Sequence, residues 1–253
     1  ENIGARIYLA APTGRAAKRM SETTGREAKT IHRMLEYKPP QGYMRNIENN
    51  PLECHVLIID ESSMVDIVLM YNLLKAVKNE TTVILVGDVD QLPSVGAGNV
   101  LGDIIDSGQV EVVKLTKIFR QAQHSTIITN AHRVNRGIFP ILRGKKNRDF
   151  FFIKREDPEE IVNQIRELCV KRLPNYYKVD PIDDIQVLCP MQRGITGAAN
   201  MNRVLQETLN KETRYIKYGG SIYKVGDKVM QIRNNYDKNT FNGDIGRIVN
   251  IDL

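Results

Sequence analysis

Apolar residues along the chain fall into short runs separated by polar turns, and the spacing within each run predicts the element it forms. Ile7-Tyr8-Leu9-Ala10-Ala11 is a continuous apolar run of strand length, broken by Pro12-Thr13-Gly14 before a predicted helix from about Arg15 to Glu22. Thr30 is placed to cap a short helix through Leu35, because its hydroxyl can accept from an otherwise unsatisfied first-turn N–H. Lys38-Pro39-Pro40-Gln41-Gly42-Tyr43 and Asn49-Asn50-Pro51 are rich in turn formers and bracket a small predicted hairpin. Leu57-Ile58-Ile59 predicts a buried strand, after which Val65, Val68, Leu69, Leu73, Leu74 and Val77 recur at helical spacing and are expected to face the core. A second buried strand over Val83 to Val86, a helix near Val100 to Asp106 and a strand over Val110 to Leu115 complete an alternation that predicts a parallel α/β domain.

A second alternation follows. It runs through a helix carrying Ile127, Ile128, Ala131 and Val134, a strand at Phe150 to Ile153, a helix after Asp157, a strand at Ile185 to Cys189 and a helix marked by Met201, Val204, Leu205 and Leu209. Asp157-Pro158-Glu159-Glu160 supplies a cap, a first-turn proline and carboxylates near the amide dipoles. Beyond Tyr215 the chain changes to short β-rich runs at 215–218, 222–225, 228–233 and 247–251, divided by Gly219-Gly220, Gly226-Asp227 and Asn242-Gly243-Asp244, which predict a small barrel.

With 253 residues, 42% of them hydrophobic, the chain is long enough for two domains and a small appendage. No apolar stretch approaches the ~20 residues of a membrane span, so no membrane partner is expected. A net charge of +6 suits a polyanionic partner, although a modest excess of Lys and Arg also occurs in proteins that bind nothing acidic. Cys54, Cys169 and Cys189 are odd in number and widely spaced, which argues against disulfide and zinc frameworks and for a reducing, cytoplasmic location. His32, His55, His124 and His132 are scattered and indicate no metal cluster.

The chemistry begins where the Leu57-Ile58-Ile59 run ends in Asp60-Glu61, at the strand edge where open α/β folds place ligands. One carboxylate can hold Mg²⁺ while the other orients a nucleophilic water, the division of labour that phosphoryl transfer requires. The Val83 to Val86 strand delivers Gln91 to the same rim, where a neutral amide can sense a terminal phosphate without adding repulsive charge. The dyad alone also fits an ordinary solvated strand exit.

Leu57-Ile58-Ile59-Asp60-Glu61-Ser62-Ser63-Met64-Val65, followed by Val86-Gly87-Asp88-Val89-Asp90-Gln91-Leu92-Pro93-Ser94-Val95, resembles motifs II and III of superfamily 1 helicases in their RecD-like branch, the exodeoxyribonuclease V alpha subunit family. Ala10 to Lys18 looks like motif Ia, Thr30 to Arg33 like motif Ib, and Leu115 to Gln121 like motif IV. Leu188 to Gly194 with Asn202, Gln206 and Asn210 looks like the RecD-type second motor domain, and Gly226 to Gln231 with Phe241 to Gly246 is similar to the family's SH3-like insert.

The resemblance implies an α/β fold of two RecA-like parallel-sheet motor domains, both incomplete, with a small hairpin insert and a C-terminal SH3-like β-barrel insert. The expected boundaries are 1–115 for the first motor domain with a hairpin at about 38–52, 116–214 for part of the second, and 215–253 for a truncated SH3-like insert. It further implies an ATP- and Mg²⁺-dependent DNA helicase moving 5′ to 3′ on single strands and unwinding duplex in repair or recombination. Asp60 is expected to hold the metal, Glu61 to activate water, Gln91 to couple the γ-phosphate to DNA-bound motifs and Arg120 to serve as an arginine finger. Single-stranded DNA is expected at Pro12, Thr13, Arg15 and His32, with DNA or nucleotide at Arg193. Tyr43 is either a wedge against duplex DNA or a residue packing the hairpin onto the domain. Nuclease-complex subunits are candidate partners.

The Gly-x-x-x-x-Gly-Lys-Ser/Thr loop is absent from the 253 residues and the family's motifs V and VI are not reached, so the resemblance implies an interior fragment inactive by itself. Two rival readings are a conjugative relaxase-helicase motor and a non-catalytic single-strand-binding scaffold in a nuclease complex.

Overall fold

Ile7–Ala11 forms β1 and is buried on both faces towards its end, with Leu9, Ala10 and Ala11 at most 5% exposed, as expected of an inner parallel strand. The computed structural model describes residues 4–115, 125–142, 149–235, 238 and 240–252. The chain divides into two compact units, Glu1–Phe119 with Ile232–Gly243, and Arg120–Gln231 with Asp244–Leu253.

In the first unit, α1 (Gly14–Thr24) starts at Thr13, whose side chain accepts from the Ala16 N–H, and stops at Gly25, whose φ of 67° closes the helix in the left-handed region. Next come β2 (Ala28–Thr30) and α2 (Ile31–Met34), the latter capped by Thr30 as its sequence predicts. The sequence reading missed β2, since Ala-Lys-Thr has neither an apolar run nor alternation; its pairing with β1 forms it. β3 (Val56–Ile59), α3 (Ile67–Ala76), β4 (Thr82–Leu85) and α4 (Val100–Asp106) complete the alternation. All pairings are parallel, in the order β2-β1-β3-β4.

The core joins Ala10, Leu57 and Ile59 to Ile31 and Leu35 around α2 and to Leu69, Leu73 and Ala76 of α3. Leu57, Ile59 and Leu73 are fully buried, and each such side chain contributes about 1.5–3 kcal/mol relative to exposure. Three expectations change here. Val68 and Leu74, expected in the core, are 58% and 54% exposed, because α3 turns Leu69, Met70, Leu73 and Ala76 inward and these two fall on the opposite face. The strand expected over 83–86 is not fully buried: β4 is the last strand of the described sheet, and Ile84 is 43% exposed. The hairpin expected at about 38–52 forms no ladder, only a Lys38–Gly42 bridge around a cis Pro39–Pro40 bond and a parallel bridge from Leu52 to Val77.

In the second unit, α5 (Thr126–Asn135) is capped by Ser125, and the Asp149 carboxylate accepts from the Thr126 and Ile127 N–H groups at 2.7 and 3.2 Å. α6 (Pro158–Glu167) begins under an Asp157 cap, as its sequence predicts, and continues through a wider turn at Leu168–Arg172 into α7 (Leu173–Tyr177). α8 (Ala198–Leu209) buries Met201. No ladder forms at 110–115 of the first unit, nor at 150–153 or 185–189 of the second, although strands were expected there. Apolar runs this short are read as strands only when a partner strand satisfies their backbone, and these have none among the described residues.

The β-rich end consists of two antiparallel pairs, β5 (Tyr215–Tyr218) with β6 (Ser221–Lys224) and β7 (Lys228–Met230) with β8 (Ile245–Arg247). The first pair turns through Gly219 and Gly220, both at positive φ (56° and 80°), as a two-residue hairpin requires. Asp227, 9% exposed, anchors this end to α8. Its carboxylate accepts from Asn210 Nδ2 at 2.7 Å, from Gln206 Nε2 and from the Lys224 N–H at 2.7 Å. Gln206 and Asn210, singled out in the sequence, thus hold the insert in place.

Candidate functional site

Because the four strands of the first unit run in one direction, the residues that follow them line a single sheet edge. In lateral order these are Ile31-His32 after β2, Pro12 to Arg15 after β1, Asp60-Glu61 after β3 and Asp88 to Gln91 after β4. Asp60, Glu61, Gln91, Pro12, Thr13, Arg15 and His32 therefore share one rim, the rim at which open parallel sheets bind ligands.

The acidic pair is held by backbone. The Asp60 N–H donates to the Ala10 carbonyl at 2.9 Å, and Asp60 Oδ1 accepts from the Glu61 N–H at 2.9 Å. Glu61 adopts φ 53°, the left-handed region, which a glutamate enters only at a cost in steric strain. Ser62 Oγ donates to the Ile59 carbonyl at 2.9 Å, and the Ser62 N–H donates to the Val86 carbonyl at 2.9 Å, tying the turn after the pair to the end of β4. Both acidic residues are half-buried. Gln91 is exposed, with Nε2 donating to Asp88 Oδ2 at 3.3 Å.

Among the described residues no group of three or more His, Cys, Asp or Glu could form a metal cage. The Asp60-Glu61 pair instead suits a cation that takes one or two carboxylates and fills its other positions with water and phosphate oxygens, the habit of Mg²⁺.

On the other half of the rim, the Thr13 hydroxyl accepts from Ala16 N–H at 3.2 Å and keeps its own hydrogen to donate. Arg15 is exposed and donates to the Gly243 carbonyl at 3.4 Å. A Cβ on Gly14 would stand 2.6 Å from the Phe241 ring, so Phe241 lies flush on the start of α1 within this unit. The sequence reading gave Phe241 no such role; the paired small residue at Gly14 was the available signal.

His32 is half-buried in a ring cluster with Tyr37 and Tyr43, at centroid distances of 5.6 and 5.9 Å, and the two tyrosines lie 4.8 Å apart. Burial pushes the His32 pKa below 6.5, partly opposed by the Asp66 charge, so the ring is neutral at pH 7. Any contact it makes with a nucleic acid is then by stacking or hydrogen bonding, not by charge. Tyr43 is half-buried and packs on the hydrophobic core. Of the two roles open to it in the sequence, the packing role matches this position. Arg193 is exposed in the loop before α8, in the second unit, and Arg120 lies outside the described residues.

Comparison with known proteins gives this edge a family. Residues 1–97 match the AAA domain family, and residues 201–253 match the ATP-dependent RecD-like DNA helicase SH3 domain. The chain is 36% identical over 249 residues to the ATP-dependent RecD2 DNA helicase of Deinococcus radiodurans, covering 98% of this chain and 33% of that protein. The chain is RecD-like. It is also 31% identical to the RecBCD enzyme subunit RecD of Mycolicibacterium smegmatis, covering 96% of this chain and 48% of that protein. The RecD-like chain thus spans between a third and a half of the length of these curated relatives. A crystal structure of the Bacteroides Pif1 helicase in complex with ADP-AlF3 and single-stranded DNA shares the fold, with a TM-score of 0.55, 19% identity and coverage of 99% of this chain and 61% of that one. Among the described residues, no helix of the RecD-like chain is long and apolar enough to cross a membrane.

Proposed function

We propose that the RecD-like chain is the motor portion of an ATP-dependent DNA helicase of superfamily 1 that translocates 5′ to 3′ on single-stranded DNA and unwinds duplex. The observation that carries this reading is the lateral order along one sheet edge, with the acidic pair and Gln91 on one half and Thr13, Arg15 and His32 on the other. A nucleotide and a nucleic-acid strand can then address neighbouring loops of one rigid sheet.

Asp60 would hold Mg²⁺, which supplies charge neutralisation at the phosphates when bound. Glu61 orients and deprotonates the attacking water from a left-handed backbone position directly after Asp60. Gln91 donates to the γ-phosphate in exchange for its bond to Asp88. Arg120 acts as the finger, its planar donors matching phosphate oxygens. Thr13 and the first N–H groups of α1 receive a backbone phosphate, with Arg15 adding charge, Pro12 shaping the turn and His32 meeting a base. Arg193 is a further contact to DNA or nucleotide, and Tyr43 supports the ring platform from the core side. The domain reading is 1–115, 116–214 and 215–253: the division of the chain after Phe119 supports its first boundary, and the match of residues 201–253 to the RecD-like SH3 domain supports a distinct C-terminal part. That one relative is named as a subunit of the RecBCD enzyme supports partner subunits; nuclease-complex subunits as those partners, and work in DNA repair or recombination in the cytoplasm, complete the proposal.

The test is ATP hydrolysis by the natural full-length protein with and without oligo-dT, paired with strand displacement on duplexes carrying 5′ or 3′ tails. Hydrolysis stimulated by DNA, abolished by Glu61→Gln, and unwinding only from the 5′ tail are expected. Tight DNA binding without hydrolysis would favour a non-catalytic scaffold instead.

A further inference from the structure

The start of α1 lies beneath a segment from the far end of the chain. β7 and β8 pair within the second unit, but the stretch between them, 232–243, belongs to the first. Its last residues rest on the helix. Gly14, the first residue of α1, is buried, and a Cβ on it would meet Phe241 Cδ1 at 2.6 Å and Phe241 Cβ and Cγ at 2.8 Å. Phe241 is itself only 9% exposed. One residue further on, Arg15 Nη1 donates to the Gly243 carbonyl at 3.4 Å, and Gly243 takes φ 93° where the chain returns to the second unit. The segment also carries bonds of its own. Asn235 and Thr240 exchange both backbone hydrogen bonds, at 2.7 and 3.0 Å, and the Asn242 N–H donates to Asn234 Oδ1 at 2.9 Å. It is closed on itself, so it can leave α1 as one piece, turning at Gly243, without giving up those bonds.

We propose that Phe241 to Gly243 form an autoinhibitory clasp, which occupies the start of α1 until a nucleic-acid strand displaces it. This rests on the reading of Thr13 and Arg15 as phosphate contacts. A phosphate at this helix end would use the first N–H groups of α1, and the Phe241 ring closes off the first of these residues, Gly14. The Gly243 carbonyl meanwhile gives Arg15 an oxygen acceptor, the part a phosphate oxygen would play. Both features of the strand site are thus taken up by the chain itself. Burial of one phenylalanine favours the closed state over the open one by roughly 10- to 100-fold, a bias that a strand making several phosphate contacts overcomes. Because only open molecules accept the strand, apparent affinity is lowered by the same factor.

The experiment measures oligo-dT binding by the natural full-length protein and by Phe241→Ala and Phe241→Leu. Alanine removes the ring that covers Gly14, whereas leucine refills most of the space. Phe241→Ala is expected to bind oligo-dT at least ~10-fold more tightly, chiefly through faster association, and Phe241→Leu to return most of the way to the parent protein. Equal affinity in Phe241→Ala would reduce the ring to packing and overturn the clasp. Weaker binding would overturn it too, since the segment would then be a wall of the strand site and not its competitor. A second measurement needs no substitution: backbone hydrogen exchange at 240–243 should quicken when oligo-dT saturates the unmutated protein. Exchange that slows or stays the same would mean that the segment remains on α1 beside the strand, against the proposal. Failure of both the unmutated protein and Phe241→Ala to bind oligo-dT would refute the strand site itself and the clasp with it, whereas binding of equal strength in the two refutes the clasp alone.

Discussion

Gly87 and Ser63 approach so closely that a Cβ on the glycine would stand 3.0 Å from the Ser63 backbone nitrogen, with Leu101 Cδ2 2.8 Å away on the other side. The turn after the acidic pair and the exit of β4 are thereby pressed together, which sets the separation of Glu61 and Gln91. Gly87→Ala is expected to destabilise the protein by about 1–3 kcal/mol through overpacking and to lower hydrolysis more than DNA binding. Urea unfolding together with oligo-dT binding checks this; unaltered hydrolysis would mean that the two loops are not spaced by this contact.

Glu61 combines a proposed catalytic carboxylate with a left-handed backbone. Replacing it by glycine relieves the strain but enlarges the freedom of the unfolded chain, and the two effects are of similar size, about 1 kcal/mol each. Glu61→Gly should therefore unfold within about 1 kcal/mol of the parent protein while losing hydrolysis. Thermal melts and ATPase rates measured on one preparation separate the two. A large loss of stability would show that the side chain, not its chemistry, is what the site retains.

Asp227 is a buried carboxylate whose acceptors serve Asn210, Gln206 and the Lys224 N–H. Asp227→Ala removes the acceptor of the Lys224 N–H and one of the two acceptors of each amide, Asn210 Nδ2 keeping the Val225 carbonyl and Gln206 Nε2 the Ile222 carbonyl, and is expected to cost about 3 kcal/mol. Loosening should be local to the β5–β6 and β7–β8 pairs, so limited proteolysis should cut first after residue 210. Cleavage unchanged from the parent protein would deny this carboxylate its anchoring role.

Local chemistry accounts for what could be foreseen. Strands and helices whose signals are self-contained, such as Ile7–Ala11, the Thr30-capped turn, the Asp157-Pro158 helix start and the Gly219-Gly220 hairpin, form where the sequence places them. The acidic pair was legible because an apolar run must end at a sheet edge. What was not legible depends on distant partners. β2 exists by pairing with β1, Val68 and Leu74 lose their expected burial to the rotation of α3, and the runs at 110–115, 150–153 and 185–189 find no ladder among the described residues. The contacts of Gly14 with Phe241 and Gly96 with Asp66 join residues 227 and 30 positions apart, a relation that spacing and periodicity do not express.

His32 makes a pH-dependent contribution with a defined sign. Burial lowers its folded pKa below 6.5, the Asp66 charge opposing this in part. Between those two values the unfolded chain binds a proton that the folded protein refuses. The contribution is complete above 6.5 and is lost as pH falls from there through the folded value. His32→Gln should flatten the stability profile over that window, read as the shift in urea midpoint between about pH 5 and about pH 7.5. An unchanged profile would place His32 in water, outside the ring cluster.

Arg15 is exposed at the start of α1, next to the Thr13 cap, and its bond to the Gly243 carbonyl is long at 3.4 Å. Such a guanidinium can turn to a phosphate at little cost, and a phosphate contact reports itself through salt. Each phosphate neutralised on a single strand contributes about 0.7 to the slope of log affinity against log salt. Arg15→Ala should lower that slope by about 0.7 and weaken binding evenly across oligo-dT, oligo-dA and mixed sequences. Fluorescence anisotropy over a salt series measures both quantities. If affinity falls while the slope stays fixed, Arg15 acts by holding the 241–243 segment on α1 and not by meeting the strand.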